Sequence, residues 1–318
     1  MAKEAKIALI FPGQGSQYVG MGKAIYDIFV EAKEIFERAD NALGFHLSKI
    51  CFEGPESELK LTQNTQPAIL TVSIAIFEVF KKFVPQTKPL FVSGHSLGEY
   101  SALVSAGAIS FEDAVRIVHL RGKFMQNAVP VGEGTMYAVL GLEDFEVEDA
   151  CNEVDKSLGV VEPANFNSPG QVVISGSIKA VNACIEILKE RGAKRLVQLP
   201  VSAPFHSSLM SKASEELKKV LEEIPINMPI YPAVSNVTGK VYESIENIRS
   251  LLVEQVKSPV RWTDCVRYMI SNGVNEFVEI GPNKVLTNLV KRINKDVKSV
   301  GIETIDEVML FAKLYNEG

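Results

Sequence analysis

The stretch VSGHSLGEYSALVSAGA, residues 92–108, decides the fold. An apolar strand end runs into Gly94-His95-Ser96-Leu97-Gly98, and a helix-forming segment follows. A serine flanked by glycines two residues to either side, between a strand and a helix, is the nucleophile-elbow pattern. Such a turn forces the central residue into strained backbone geometry, and the small neighbours let the chain segments pass. The helix N-terminus then points its free amides and positive dipole end at the serine. Ser93 lies in the strand end, and Ser101 and Ser105 lie inside the helix, where no comparable exposure is expected. Ser96 is therefore the candidate nucleophile.

Outward from the elbow the same unit recurs. KIALIFPGQGSQYVGMG (6–22) reads as strand, Gly-rich turn and helix, and NEFVEIGPNKVLTNLVKRI (275–293) as strand, Gly-Pro turn and helix. Helical periodicity runs through 26–44, 65–83 and 111–129, with Pro67 near the start of the second. Strands alternating with helices predict an α/β fold with a parallel sheet, resembling the α/β-hydrolase arrangement. The middle changes character. Strand 134–142, helix 146–159, two strands within 160–177 joined by Asn-Ser-Pro-Gly, helix 179–193 and strand 194–201 give the order β-α-β-β-α-β. That is a small ferredoxin-like α+β unit. The expected organisation is a large domain of 1–129 and 203–318 with 130–202 inserted.

A length of 318 residues exceeds one typical domain of ~100–200. With 33 basic and 39 acidic residues the net charge is −6, which argues against a general affinity for nucleic acid. The longest mostly apolar run, 68–80, is interrupted by polar residues and shorter than the ~20 needed to span a membrane. After a charged start, the apolar run Ile7–Phe11 is too short for a secretory leader. The four cysteines are too widely spaced for a CxxC metal or redox pair. A cytoplasmic chain with reduced thiols is the simplest reading.

A serine nucleophile needs a base. Of the four histidines, His46 follows a helix end, His95 adjoins the elbow and points elsewhere, and His119 sits mid-helix. His206, in VSAPFHSSLM at the end of an apolar strand, is the best candidate. No acid is evident to orient it, so a backbone or amide carbonyl is a natural substitute. The loop FPGQGSQ (11–17) matches neither GxGxxG nor GxxxxGK[ST]. An amide from it, together with that of Leu97, can form an oxyanion hole.

FPGQGSQ, NTQPA (64–68), GHSLGEYSAL (94–103), LRGKFMQ (120–126), NFNSPGQVVISG (165–176), APFHSSLM (203–210), QVKSPVRW (255–262) and EIGPNKVL (279–286) occur in that order. Together, along essentially the whole chain, they resemble the malonyl-CoA:acyl carrier protein transacylases. The resemblance implies Ser96 as nucleophile, His206 as general base and acid, and the amides of Gln14 and Leu97 as oxyanion hole. It implies Arg121 as the group that holds the malonyl carboxylate. Read from the residues alone, Arg121 is an ordinary helix arginine like Arg116. It further implies the Gln255 backbone carbonyl as the orienter of His206, with Gln66 and Asn167 near the pocket, which would lie in the cleft between the two domains. No metal or redox cofactor is implied. The implied partners are malonyl-CoA and phosphopantetheinylated acyl carrier protein, and a monomer is expected. The carrier is acidic, so KERGAKR (189–195) and Lys212, Lys218 and Lys219 are candidates for its docking face, against the commoner reading of a solvated helix face. APFH resembles the variant of malonyl-selective domains. Competing readings are a serine esterase or thioesterase, an acyltransferase for methylmalonyl or other acyl groups in a polyketide pathway, and a non-catalytic carrier-binding module.

Overall fold

The computed structural model describes residues 5–201 and 203–316. The charged start at 1–4, position 202 at the limit of the expected insertion, and residues 317–318 lie outside them. The strands are β1 (Ile7–Phe11), β2 (Phe91–Gly94), β3 (Gly134–Leu140), β4 (Val161–Ser168), β5 (Gln171–Ser177), β6 (Arg195–Gln198), β7 (Glu276–Ile280) and β8 (Lys298–Ile302). They form one parallel and one antiparallel sheet, so the chain is a mixed α/β protein.

The chain divides into two compact units. The first comprises the residues up to Gly122, Ile224–Ser235, and the residues from Tyr268 onward. Its sheet has the order β2-β1-β7-β8, with Leu9 in register with Val92 on one side and Val278 on the other. β1, β2 and β7 are buried along their whole length, as parallel strands covered on both faces are, and β1 is accordingly an unbroken apolar run, IALIF. An isolated parallel bridge from Val92 to Ala233 extends the β2 edge.

Periodicity over 26–44 predicts one helix, but two form, Lys23–Ile28 and Val30–Leu43, with Phe29 extended between them at φ −114° and ψ 125°. The break carries the Phe29 ring edge-on to Phe83, with centroids 5.7 Å apart. This contact outweighs a propensity difference of a few tenths of a kcal/mol. The second helix stops at Gly44, whose φ of 74° is the left-handed cap that glycine adopts without strain.

The second unit comprises Lys123–Glu223 and Asn236–Arg267. Its sheet is antiparallel in the order β4-β5-β3-β6. Helix Asp144–Glu153 follows β3, and helix Ile178–Glu190 follows the β4–β5 hairpin. Both pack on one core with Val139, Val147, Val172, Ile174, Val181 and Leu188. The helix expected over 146–159 ends at Glu153, and a separate turn, Lys156–Leu158, is capped by Asp155 accepting from the Ser157 amide at 2.9 Å. The expected segment 130–202 lies within this unit, which also takes in 236–267. The physical link is main-chain pairing at the β4 edge. The Phe166 amide donates to Val260 O and the Val260 amide to Ala164 O, each at 2.9 Å.

Among the described residues no helix is long and apolar enough to cross a membrane. All four cysteines are buried and unpaired by disulfide, with Cys151 Sγ 3.8 Å from Cys184 Sγ.

Candidate active site

In the first unit β2 ends at Gly94, helix Gly98–Ser105 begins four residues later, and Ser96 sits between them at φ 51°. A non-glycine residue in the left-handed region is uncommon and stores backbone strain. The flanking glycines are required by contact. A Cβ on Gly94 would lie 2.1 Å from the Gly98 carbonyl carbon, and one on Gly98 would lie 2.1 Å from Phe11 O. The loop after β1 crosses the elbow just as closely, since a Cβ on Gly13 would lie 2.3 Å from His95 O. That loop is braced by Ser16 Oγ donating to Gly13 O at 2.8 Å and the Gly15 amide donating to Gln17 Oε1 at 2.7 Å. Among the described residues the backbone amides of Gln14, in this loop, and of Leu97, at the helix start, donate to no protein acceptor. The other serines are differently placed. Ser93 is buried and donates to Val234 O at 3.2 Å, Ser105 donates to Ala102 O at 2.8 Å, and Ser101 is fully buried.

Helix Phe111–Asn127 brings Arg121 to Ser96. Arg121 is only 1% exposed; one guanidinium nitrogen donates to Gln66 Oε1 at 2.7 Å and the other to Ser96 Oγ at 3.1 Å. Its guanidinium carbon lies 5.6 Å from the centroid of the Tyr100 ring, within cation–π range. Burial lowers the Arg121 pKa from its ordinary value, yet a guanidinium stays charged in proteins. Burial likewise pushes the Tyr100 phenol up, so it stays neutral. Arg116, five residues earlier, is half exposed and donates to Ala42 O at 3.2 Å. Arg121 is in helical phase with buried Ala114, Val118 and Met125, and Arg116 is out of phase with them, so the two have opposite environments.

The helix carrying Arg121 touches helix Thr62–Phe83, which carries Gln66, backbone to backbone. A Cβ on Gly122 would lie 2.5 Å from Thr62 O. His119, three residues before Gly122, holds its Nδ1 2.8 Å from Gln63 O. His46 is exposed and lies 3.3 Å from Asp40.

In the second unit His206 is 4% exposed and also has a positive φ, 57°. Its Nδ1 lies 2.8 Å from Gln255 O. A carbonyl only accepts, so Nδ1 carries the proton and Nε2 is the basic nitrogen. Gln255 is the last residue of helix Ile245–Gln255, so its carbonyl is one of those that the helix leaves without an internal donor. The negative end of the helix dipole thereby faces the imidazole. The Gln255 side chain is fully buried and its amide nitrogen donates to Asn236 Oδ1 at 3.4 Å. Asn167 stands on β4 where the register with β5 shifts between Phe166 and Ser168, a bulge that re-aims its side chain.

Of the residues singled out from sequence, Ser96, Arg121 and Gln66 are in direct hydrogen-bond contact in one unit, and His206 and Gln255 in the other. Tyr100 and Asn236 were not anticipated. A charge-neutral tyrosine within the elbow helix and an asparagine after a loop strand carry no spacing signal. The first unit's cluster presents a hydroxyl on a strained turn, amides beside it and a buried cation one hydrogen bond away. It is suited to acyl chemistry on a substrate with a carboxylate.

A serine elbow, a helix-terminal carbonyl behind a histidine, and a parallel sheet with a second antiparallel sheet define an acyl-transferring class. The chain belongs to the acyl transferase domain family, whose model matches residues 8–308. It is 47% identical, over 313 residues and 98% of each chain, to a malonyl CoA-acyl carrier protein transacylase of Bacillus subtilis. The crystal structure of a malonyl CoA-acyl carrier protein transacylase from Clostridium perfringens is similar with a TM-score of 0.94, at 45% identity over 98% of each chain. A malonyl-transacylase solved in complex with its type II PKS acyl-carrier protein is similar with a TM-score of 0.94, at 43% identity over 98% of this chain and 100% of that one.

Proposed function

We propose that the chain transfers the malonyl group of malonyl-CoA to the phosphopantetheine thiol of acyl carrier protein through an ester on Ser96, supplying fatty-acid synthesis. The observation that carries this reading is Arg121, buried and donating at once to Gln66 and to Ser96 Oγ. A guanidinium fits a carboxylate through two parallel hydrogen bonds. Malonyl-CoA has its free carboxylate two carbons from the reacting carbonyl, so the clamp and the nucleophile address one substrate. The burial cost of Arg121 is offset when that carboxylate binds, and a neutral acyl group offers no such compensation.

In the first half-reaction Ser96 Oγ attacks the thioester carbonyl while His206 Nε2 takes its proton. The oxyanion is held by the Gln14 and Leu97 amides, and CoA leaves as the thiol with the proton from His206. In the second, His206 takes the proton of the carrier thiol, the thiolate attacks the Ser96 ester, and Ser96 regains its proton as the malonyl thioester departs. This is ping-pong covalent catalysis. Gln255 supplies the orienting carbonyl, while Gln66 and Asn167 shape the pocket. No step needs a metal or redox cofactor.

The same reading takes the parallel-sheet domain as α/β-hydrolase-like, 1–129 and 203–318, and 130–202 as a ferredoxin-like insertion. The sheet order β4-β5-β3-β6, with a helix after β3 and another after β5, supports the latter. A cytoplasmic monomer completes the reading.

The test is intact-protein mass spectrometry after brief mixing with malonyl-CoA, without carrier protein. The native chain should gain one malonyl group and pass it on when carrier protein is added. Ser96→Ala should gain none, and Arg121→Ala should lose malonyl loading while gaining acetyl loading from acetyl-CoA. Free malonate accumulating without an adduct would mean a hydrolase and sink the transfer reading.

A further inference from the structure

We propose that His119 is a positioning residue for the carboxylate clamp. It fastens the turn that carries Arg121 to the turn that carries Gln66. The inference rests on the malonyl reading above and starts from a proline. Each helical carbonyl accepts from the amide four residues on. Pro67 lies inside helix Thr62–Phe83 and has no amide hydrogen, so the Gln63 carbonyl lacks its donor within the helix. Leaving such a carbonyl unpaired is costly. The donor comes from the neighbouring helix, where His119 Nδ1 lies 2.8 Å from Gln63 O. Because the carbonyl only accepts, Nδ1 carries a hydrogen there, whether the ring is neutral or charged.

His119 and Gly122 are three apart on helix Phe111–Asn127 and so share a face. Both meet the same turn of the other helix. A Cβ on Gly122 would lie 2.5 Å from Thr62 O and 2.7 Å from Gln63 Cα. The Phe45 ring backs the imidazole, with centroids 5.6 Å apart at 53°. Arg121 sits between these two fastening points, and Gln66 is three residues past Gln63. The 2.7 Å bond from Arg121 to Gln66 therefore depends on the crossing that His119 and Gly122 set. A side chain that fills the His119 site without donating would let the helices shift and the guanidinium swing away from the substrate carboxylate.

The experiment measures initial rates of Ser96 acylation by malonyl-CoA and by acetyl-CoA, read by intact mass. His119→Phe should lower the malonyl-over-acetyl preference about tenfold, the scale of a misplaced hydrogen-bonded group, with acetyl loading nearly unchanged. His119→Asn, whose side-chain N–H takes the place of Nδ1–H, should restore the preference, whereas the isosteric His119→Asp should not. That pair carries the test if phenylalanine does not fit. Pro67→Ala supplies the missing amide, so adding His119→Phe to it should cost less than about threefold. Equal loss of malonyl and acetyl loading, or a loss independent of residue 67, would overturn the proposal. If the native chain loads no malonyl, the functional reading fails and this inference with it. If the native chain loads malonyl and His119→Phe keeps the preference, only the inference fails.

Discussion

Ser96 and His206 share a feature that neither needs as an ordinary residue, a positive φ of 51° and 57° respectively. Strain of this kind costs about 1–3 kcal/mol per residue and persists where the surroundings over-determine it. At Ser96 the surroundings are backbone. With Phe11 O only 2.1 Å from a Cβ at position 98, Gly98→Ala has no flexible side chain to displace. We expect it to destabilise the protein by about 2–3 kcal/mol in chemical denaturation and to abolish malonyl loading. The glycine spacing made Ser96 legible because the elbow is a local device. Arg121 stands in phase with Ala114, Val118 and Met125 on the buried face, but phase does not name partners, so its place beside Ser96 and Gln66 was legible only through the family resemblance. Gln255 was still less so, since the group that holds His206 is its main-chain oxygen, which every residue type carries. A prediction follows at this scale. Gln255→Ala keeps that oxygen and loses the bond to Asn236. It should cost about 1–3 kcal/mol of stability while lowering the loading rate far less than His206→Ala, for which a loss of about 10²–10⁴ is expected.

Helix Phe111–Asn127 is the element on which the proposed specificity depends, and contacts anchor it along its length. Arg38 from helix Val30–Leu43 grips Glu112 through both carboxylate oxygens, at 2.6 and 3.1 Å. Arg116 reaches Ala42 O, His119 the carbonyl freed by Pro67, and Gly122 the Thr62 backbone. The hydrogen bonds from Arg38 hold the Glu112 carboxyl below its ordinary value. A carboxylate whose pKa is lowered on folding contributes stability above its unfolded pKa and loses it as pH falls through the folded one. Glu112→Gln should therefore cost stability at neutral pH, and its deficit relative to the native chain should vanish as pH drops through and below the carboxylate range. The pair is partly exposed, so the deficit should stay under about 1 kcal/mol and shrink with added salt. Thermal unfolding at several pH values reads this directly. Element boundaries were the least legible feature at this scale. The break at Phe29 depends on Phe83, more than fifty positions away, and the start of the second long helix at Thr62 lies three residues before the periodicity suggests.

For the molecule as a whole the charge balance of −6 conceals a local question, where an acidic carrier protein would dock. Of the lysines considered, Lys189, Lys218 and Lys219 each have a carboxylate partner one turn away on their own helix, at 2.8, 3.9 and 2.9 Å. Among the described residues Lys194, Arg195 at the start of β6, and Lys212 make no such pair, and the adjacent Lys194 and Arg195 are the ones to test first. Reversing both to glutamate should raise the KM for carrier protein about three- to tenfold at low salt and leave malonyl loading of Ser96 unchanged, with the difference fading at high salt. Unchanged transfer kinetics at low salt would exclude this patch. The sequence by itself determined the two kinds of sheet and the elbow, and it singled out His206 as the histidine to propose as base. The first two are written in short-range pattern, alternation of strand and helix and glycines two residues from a serine; His206 is reached by elimination among four histidines, and it lies eight residues past β6 rather than at a strand end. Only the tertiary structure decided that Arg121 lies beside Ser96. Only it placed the Gln255 carbonyl, at a helix end, against His206 Nδ1 and joined 236–267 to the antiparallel unit through Val260. Those outcomes rest on contacts between residues distant in the chain and on backbone atoms common to every residue, which no local pattern encodes.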